Sequence, residues 1–214
     1  MVLEAERVSQ VALQTVLWTI LFFAFRWLIF RGRSSVFANR AVSLVHSVAS
    51  FYLTALALDA RHPFKNFGTR STPAEVKALS LSLGYFLFDT VCTYLIERDG
   101  ANLAHHLCSI AAVAVGVFEG TDGAELCACL ILMEASNPFL HGRFFVKDLG
   151  YQGTTLSIWV DVLFALSFTI CRLLLGPFVT FYTVVCPTAS WIVKAGGAGI
   201  QIVSCVWFYK IVKV

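Results

Sequence analysis

Seven stretches of roughly 20 predominantly apolar residues follow one another along the chain, near 8–30, 39–58, 76–97, 102–119, 124–142, 155–182 and 190–211. About 20 such residues in helical conformation cross the hydrocarbon core of a bilayer. The expected fold is therefore all-α, a polytopic membrane protein of about seven transmembrane helices. Charge agrees with this. Asp, Glu, Lys and Arg make up 14% of the 214 residues and apolar residues 58%, against about 25% and 45–50% in soluble domains. That balance excludes a disordered chain, a collagen-like chain and a nucleic-acid module built on a basic face. The net charge of +3 is too small to imply an anionic polymer as partner. The segment MVLEAER ahead of the first run is acidic and the run is too long for an h-region, so it reads as a span and not as a cleavable signal.

The charges between the runs bear on orientation. One face carries Arg31, Arg33, Arg40, Arg98, Arg143, Lys147, Lys210 and Lys213, the other Arg7, Arg61, Lys65, Arg70, Lys77 and Lys194. The positive-inside rule makes the first group cytosolic, with the N-terminus lumenal and the C-terminus cytosolic. The seven cysteines lie in or beside the apolar runs and read as small core-filling residues. Cys127 and Cys129 are too few for a zinc site, and five histidines are too few for a His-rich di-iron centre, so no metal is expected. Residues 1–35 divide as an N-terminal tail with the first span, and 36–214 as one membrane domain. Gly196, Gly197, Ala198 and Gly199 permit close helix packing, within the chain or between chains as an oligomer.

Ionisable groups inside a span are costly and call for a reason. Depth follows from a rise of about 1.5 Å per residue. His46 lies about 10 Å from the cytosolic end of its span, Asp89 about 12 Å, His105 and His106 about 5–6 Å, and Glu134 and Asp161 about 9–13 Å. A water-accessible polar chamber opening to the cytosol accounts for that convergence. Asp161 has a bland alternative as a cap at the start of its span. Arg26 sits close enough to the interface to snorkel, whereas Arg172 falls far along span six, toward the lumenal side, where it either snorkels or pairs with an acid. Adjacent helical residues point about 100° apart, so His105 and His106 flank a cavity without stacking. One serves as candidate general base or nucleophile and the other positions substrate, with Asp89 as the group that orients a ring; a polar interhelical clamp is the bland alternative. Pro138 donates nothing to the carbonyl of Glu134, which loosens the helix at that carboxylate.

In order along the chain, Asn39-Arg40 with Ser43 and His46, the run Gly84-Tyr85-Phe86-Leu87-Phe88-Asp89, His105-His106, Met133-Glu134-Ala135-Ser136-Asn137-Pro138-Phe139, Phe168 to Arg172 and Trp207-Phe208-Tyr209-Lys210 form a recognisable set. Over roughly residues 36–212 the chain resembles the TLC-domain family, the membrane domain of ceramide synthases, and most of all the small TLC-domain proteins. The resemblance implies six helices in a barrel around a lipid-sized chamber, preceded by one extra helix. It also implies acyl transfer from acyl-CoA to a lipid amine or hydroxyl, carried by His105 and His106. With the intramembrane polar residues above, the catalytic candidates are His105, His106 and Asp89 and the substrate-binding candidates His46, Glu134 and Arg172. Acyl-CoA enters as co-substrate, its phosphates drawn to Arg31, Arg33, Arg40, Arg143 and Lys147. No tightly bound cofactor is expected. Ceramide synthases carry a longer acidic signature after the His pair, whereas Glu134 is the one intramembrane acid of that region here. Another acyl acceptor, or no catalysis, therefore stays open.

Three functions compete on these residues. The first is an endoplasmic-reticulum enzyme of lipid metabolism. The second is a non-catalytic protein that binds, senses or traffics membrane lipids. The third, a proton-coupled transporter, ranks below both because the chain shows no inverted repeat.

Overall fold

The computed structural model describes residues 2–59 and 62–213. Arg61, one of the cations counted on the second face, lies outside them. Every long element is helical, and the one β-bridge among the described residues joins Arg70 to Thr121. α1 (Val2–Ala24), α2 (Ser35–Ala57), α3 (Pro73–Cys92), α4 (Gly100–Ala114), α5 (Gly123–Asp148), α6 (Thr155–Phe168), α7 (Gly176–Val185) and α8 (Trp191–Val212) form seven antiparallel rods, because α6 runs into α7 through the π-helical segment Thr169–Leu175. Single π-helical turns also close α1, α3 and α4.

Local chemistry sets most of the ends. Ser34 caps α2 by accepting from the Phe37 amide. Thr72 and Glu75 exchange side-chain and backbone bonds as a capping box, with Pro73 in the first turn of α3, where its missing N–H costs nothing. Arg98, in the left-handed region at φ 56°, turns the chain sharply from α3 into α4. Asp99 then caps α4 through the amides of Ala101 and Asn102. Ser190 caps α8, which runs unbroken past Lys194–Gly199, while Pro187 stays in the preceding turn.

α2, α3, α4, α8, the α6–α7 rod and α5 touch in that order and close a ring of six, with α1 packed outside it on α3. One end of the ring carries Arg40, Glu97, Arg143 and Lys210 and is called the Arg40 end below; Glu75 and Glu125 mark the other. Six rods are long and apolar enough to cross a membrane. α5 is the remaining one, and it falls short because it is more polar; of its polar residues Glu125, Glu134, Ser136 and His141 are buried. The faces turned out of the ring are greasy, as Leu156, Ile158, Trp159, Val162 and Leu166 on α6 illustrate. An exposed apolar surface of that extent is what a lipid environment covers.

Two ends differ from the expected spans. α5 continues to Asp148, beyond the apolar run that stops near 142, and the α6–α7 rod reaches Val185. Hydropathy marks where lipid ends, not where the helix ends. At about 1.5 Å per residue the α6–α7 rod is some 46 Å long, more than a bilayer core requires.

α1 lies close to α3 at Gly84, where an added Cβ would stand 2.5 Å from the Gln14 Cβ and 2.9 Å from the Thr15 amide. Gly84→Val therefore forces the two rods apart. Its expected cost is about 1–3 kcal/mol, read as a lower thermal midpoint of the detergent-purified protein, and an unchanged midpoint would contradict this packing.

Candidate functional site

Polar side chains line the ring interior in a continuous series that begins at the Arg40 end. Arg40 Nη2 lies 2.6 Å from Glu97 Oε2. Asn39 Nδ2 donates to Glu97 Oε1 at 3.2 Å and to Asp89 Oδ1 at 2.8 Å. The other Asp89 oxygen, Oδ2, is 3.4 Å from His106 Nε2. Asp89 thus orients the His106 ring, as the short α3–α4 connection allows. Each of these groups lies on a helix whose other face meets lipid or apolar core. The pairing satisfies charges that would otherwise be isolated in a low-dielectric interior.

A second cluster sits beside the first. The His46 ring stacks on Tyr85, with centroids 3.7 Å apart and an interplanar angle of 6°, and meets the edge of Trp18. His46 Nε2 is 3.4 Å from Ser82 Oγ, and Nδ1 is 3.9 Å from Glu134 Oε2. Glu134 Oε2 also accepts from Asn137 Nδ2 at 2.8 Å. His105 faces away from His106: their ring centroids are 5.6 Å apart at 50°, and His105 contacts Trp207 of α8 at 5.3 Å. The paired histidines therefore address two different surfaces, His106 toward Asp89 and His105 toward Trp207.

Arg172 stands 17 residues past the start of its rod and, instead of snorkelling, is buried level with Ser136 and Asn137 of α5. Its Nε donates to Ser136 Oγ at 3.2 Å, and its Nη2 donates to the Met133 carbonyl at 3.0 Å and Asn137 Oδ1 at 2.9 Å. Phe168 and Trp207 cover the guanidinium at 5.2 and 5.6 Å. Gln201 of α8 donates to the Arg172 carbonyl at 3.0 Å. Asp161 stands apart from the interior: it pairs with Arg143 and Lys147. Arg33 is likewise engaged by Asp148.

The interior space is in two parts. A vestibule of about 250 Å³ opens at the Arg40 end, and Arg40, Arg143, Arg172 and Lys210 line it against Asp99. Trp207 forms part of its wall. Behind Trp207 and Arg172 a slim void of about 20 Å³ holds His105 and Glu134 among apolar residues that include Phe86, Leu126 and Ile200. The vestibule admits a polar headgroup. A whole lipid needs the helices around the void to part. Two donors turned to this region lack partners among the described residues, Arg172 Nη1 and Arg40 Nε.

Sequence reasoning on single residues missed the parts played by Asn39, Glu97, Asn137 and Trp207. For Asn39 a signal existed, since it lies seven residues before His46 and so on the same helical face. For Trp207 none did, because nothing local ties it to residue 172.

A closed six-helix ring in lipid, with a polar interior open at one end, defines a multi-pass membrane protein with an internal site. The family model described as TLC domain matches residues 36–213, and no solved structure matches the chain. The chain belongs to the TLC-domain family, and with it to membrane lipid-related proteins.

Asp89 holds Asn39 and His106 together, so its replacements separate charge from shape. Asp89→Asn keeps an acceptor for Asn39 and a donor toward His106 and should leave the thermal midpoint near that of wild type. Asp89→Leu strands both partners and should cost about 1–3 kcal/mol per buried group left unsatisfied. Equal melting of the two variants in detergent would refute the ladder.

Proposed function

We propose that the protein is an endoplasmic-reticulum enzyme of lipid metabolism that transfers an acyl group from acyl-CoA to a lipid amine or hydroxyl. The observation that carries this reading is the vestibule lined by Arg40, Arg143, Arg172 and Lys210 with Asp99, of which Arg40 and Arg143 also meet Glu97 and Asp161, adjoining the void that holds His105. Charge-assisted bonds from guanidinium groups suit the phosphates of a nucleotide carrier. With the Arg40 end cytosolic, as the excess of basic residues there favours, the vestibule meets acyl-CoA on the side where it occurs.

Arg40, Arg143, Arg172 and Lys210 hold the phosphates, and the acyl chain passes Trp207 toward the apolar residues around Glu134. The acceptor amine or hydroxyl attacks the thioester carbonyl. A C–N or C–O bond forms, the C–S bond breaks, and the proton lost by the acceptor passes through a histidine to the departing thiolate. His106, oriented by Asp89, has the partner that a general base needs to stabilise its protonated form. His105 and Glu134 lie where the acceptor headgroup would be oriented, and His46 supports Glu134.

A second reading is a non-catalytic lipid-holding protein that tunes membrane composition. A specific observation favours it: no histidine lines the vestibule itself. One experiment separates the two. Purified protein is incubated with labelled acyl-CoA and a panel of lipid amines and alcohols. Acyl transfer predicts a labelled product whose rate falls about 10²–10⁴-fold in the His105→Ala/His106→Ala variant. Absence of product, together with full rescue of a knockout cell's lipid profile by that variant, would sink the enzyme reading and leave lipid holding.

A further inference from the structure

A second polar site lies in the opposite half of the bundle, outside the ring. A groove of about 480 Å³ opens at the Glu75 end between α1 and α3; Glu6, Arg7, Gln10 and Gln14 form one wall, and Lys77 and Ser80 the other. Glu6, Gln10 and Gln14 recur every four residues and so form one stripe, about 12 Å long at the helical rise. About 20 residues span the hydrocarbon core. Counted back from Ile29, where the first rod ends, that length puts Gln10 at the edge of the hydrocarbon and Gln14 one turn inside it. Glu6 and Arg7 then stand among the lipid headgroups.

Side-chain amides at that depth are costly unless something hydrogen-bonds them. Among the described residues the side-chain amides of Gln10 and Gln14 make no hydrogen bond. Ser80 is 3% exposed, lines the groove, and its Oγ also lacks a partner. Gln14 stands where the two helices approach most closely, its Cβ opposite Gly84. Arg7 Nη1 donates to the Phe118 carbonyl at 3.1 Å, which anchors the guanidinium at the rim and leaves its other N–H groups free for a ligand. The rim thus offers two cations and one carboxylate above a short ladder of neutral donors and acceptors.

We propose that this groove binds one glycerophospholipid with a primary-amine headgroup, the phosphatidylethanolamine class. Its phosphate lies between Arg7 and Lys77 and its ammonium against Glu6. The ester carbonyls and glycerol oxygens reach Gln10, Gln14 and Ser80, and the acyl chains run down the apolar seam of α1 and α3. The site is separate from the vestibule and independent of whether the histidines catalyse anything.

The test is native mass spectrometry of the full chain in detergent after addition of phosphatidylethanolamine. Wild type should retain one lipid adduct. Lys77→Gln, and separately Gln14→Leu, should each lower the retained fraction about tenfold, the loss expected for a charge-assisted or desolvated hydrogen bond. Lys77 is exposed and makes no bond within the described chain, so its variant should melt like wild type and report on the groove alone. Lys210→Gln in the vestibule should leave retention unchanged. Equal retention by wild type and both groove variants overturns the proposal. So does displacement of the lipid by phosphatidylglycerol of the same chains, which lacks the ammonium, or by soluble glycerophosphoethanolamine, which lacks the chains.

Discussion

The guanidinium of Arg172 joins three rods at the middle of the protein. It donates to the Met133 carbonyl, Ser136 and Asn137 on α5, while its own carbonyl accepts from Gln201 on α8. A helix carrying a proline loses one backbone bond and bends unless neighbours supply a replacement. Arg172 ties the Met133 carbonyl and the Ser136 and Asn137 side chains in the turn ahead of Pro138, without reaching the Glu134 carbonyl that the proline leaves without its N–H, and α5 runs on as one helix to Asp148. The whole ring depends on that continuity, because α5 contacts α2, α3, α6 and α7. The π-helical segment Thr169–Leu175 that carries Arg172 fits the same account, since such a local widening re-aims one side chain without ending the rod.

The polar interior follows from the same constraint. Lipid satisfies no hydrogen bond, so a polar group on a span either meets another inside the ring or is not tolerated. α5 resolves this by being the least apolar rod and one of the most enclosed. Its carboxylate at Glu134 is bonded by Asn137 and approached by His46, and Asp89 is bonded by Asn39 and approached by His106. Burying ions costs more than their attraction returns unless their remaining lone pairs are met. Four polar partners on three helices for two carboxylates are a heavy outlay for stability alone. That excess favours a ligand-facing role for part of the series.

Much of this was legible in the order of residues. Seven apolar runs became seven rods, and the short connection from Glu97 to Ala101 placed Asp89 beside His106. The partners of Arg172 were not legible, since Met133, Ser136 and Asn137 lie on another rod. The vestibule was hidden for another reason. Arg40, Arg143, Arg172 and Lys210 come from four different rods, and only ring closure brings them to one mouth. In sequence they look like ordinary interfacial cations, no different from Arg33 and Lys147, which do not line it.

The two polar regions do not form a path through the membrane. Between the vestibule with its void and the Glu75 end stands a packed cluster that includes Leu79, Leu83, Val117, Leu126 and Leu130, all buried. Gly116 is pressed between Leu79 and Leu126 so tightly that a Cβ there would lie 2.6 Å from each. A proton-coupled transporter needs titratable groups or water to hand protons across its middle. Here the titratable series stops at Glu134 and His46, and the next carboxylates, Glu75 and Glu125, are buried at the other end of the ring. There Glu75 is bonded to the Thr72 amide and Glu125 to the Gly68 amide. An interior open at one end and plugged in the middle suits a molecule that takes up and releases its ligand at one leaflet.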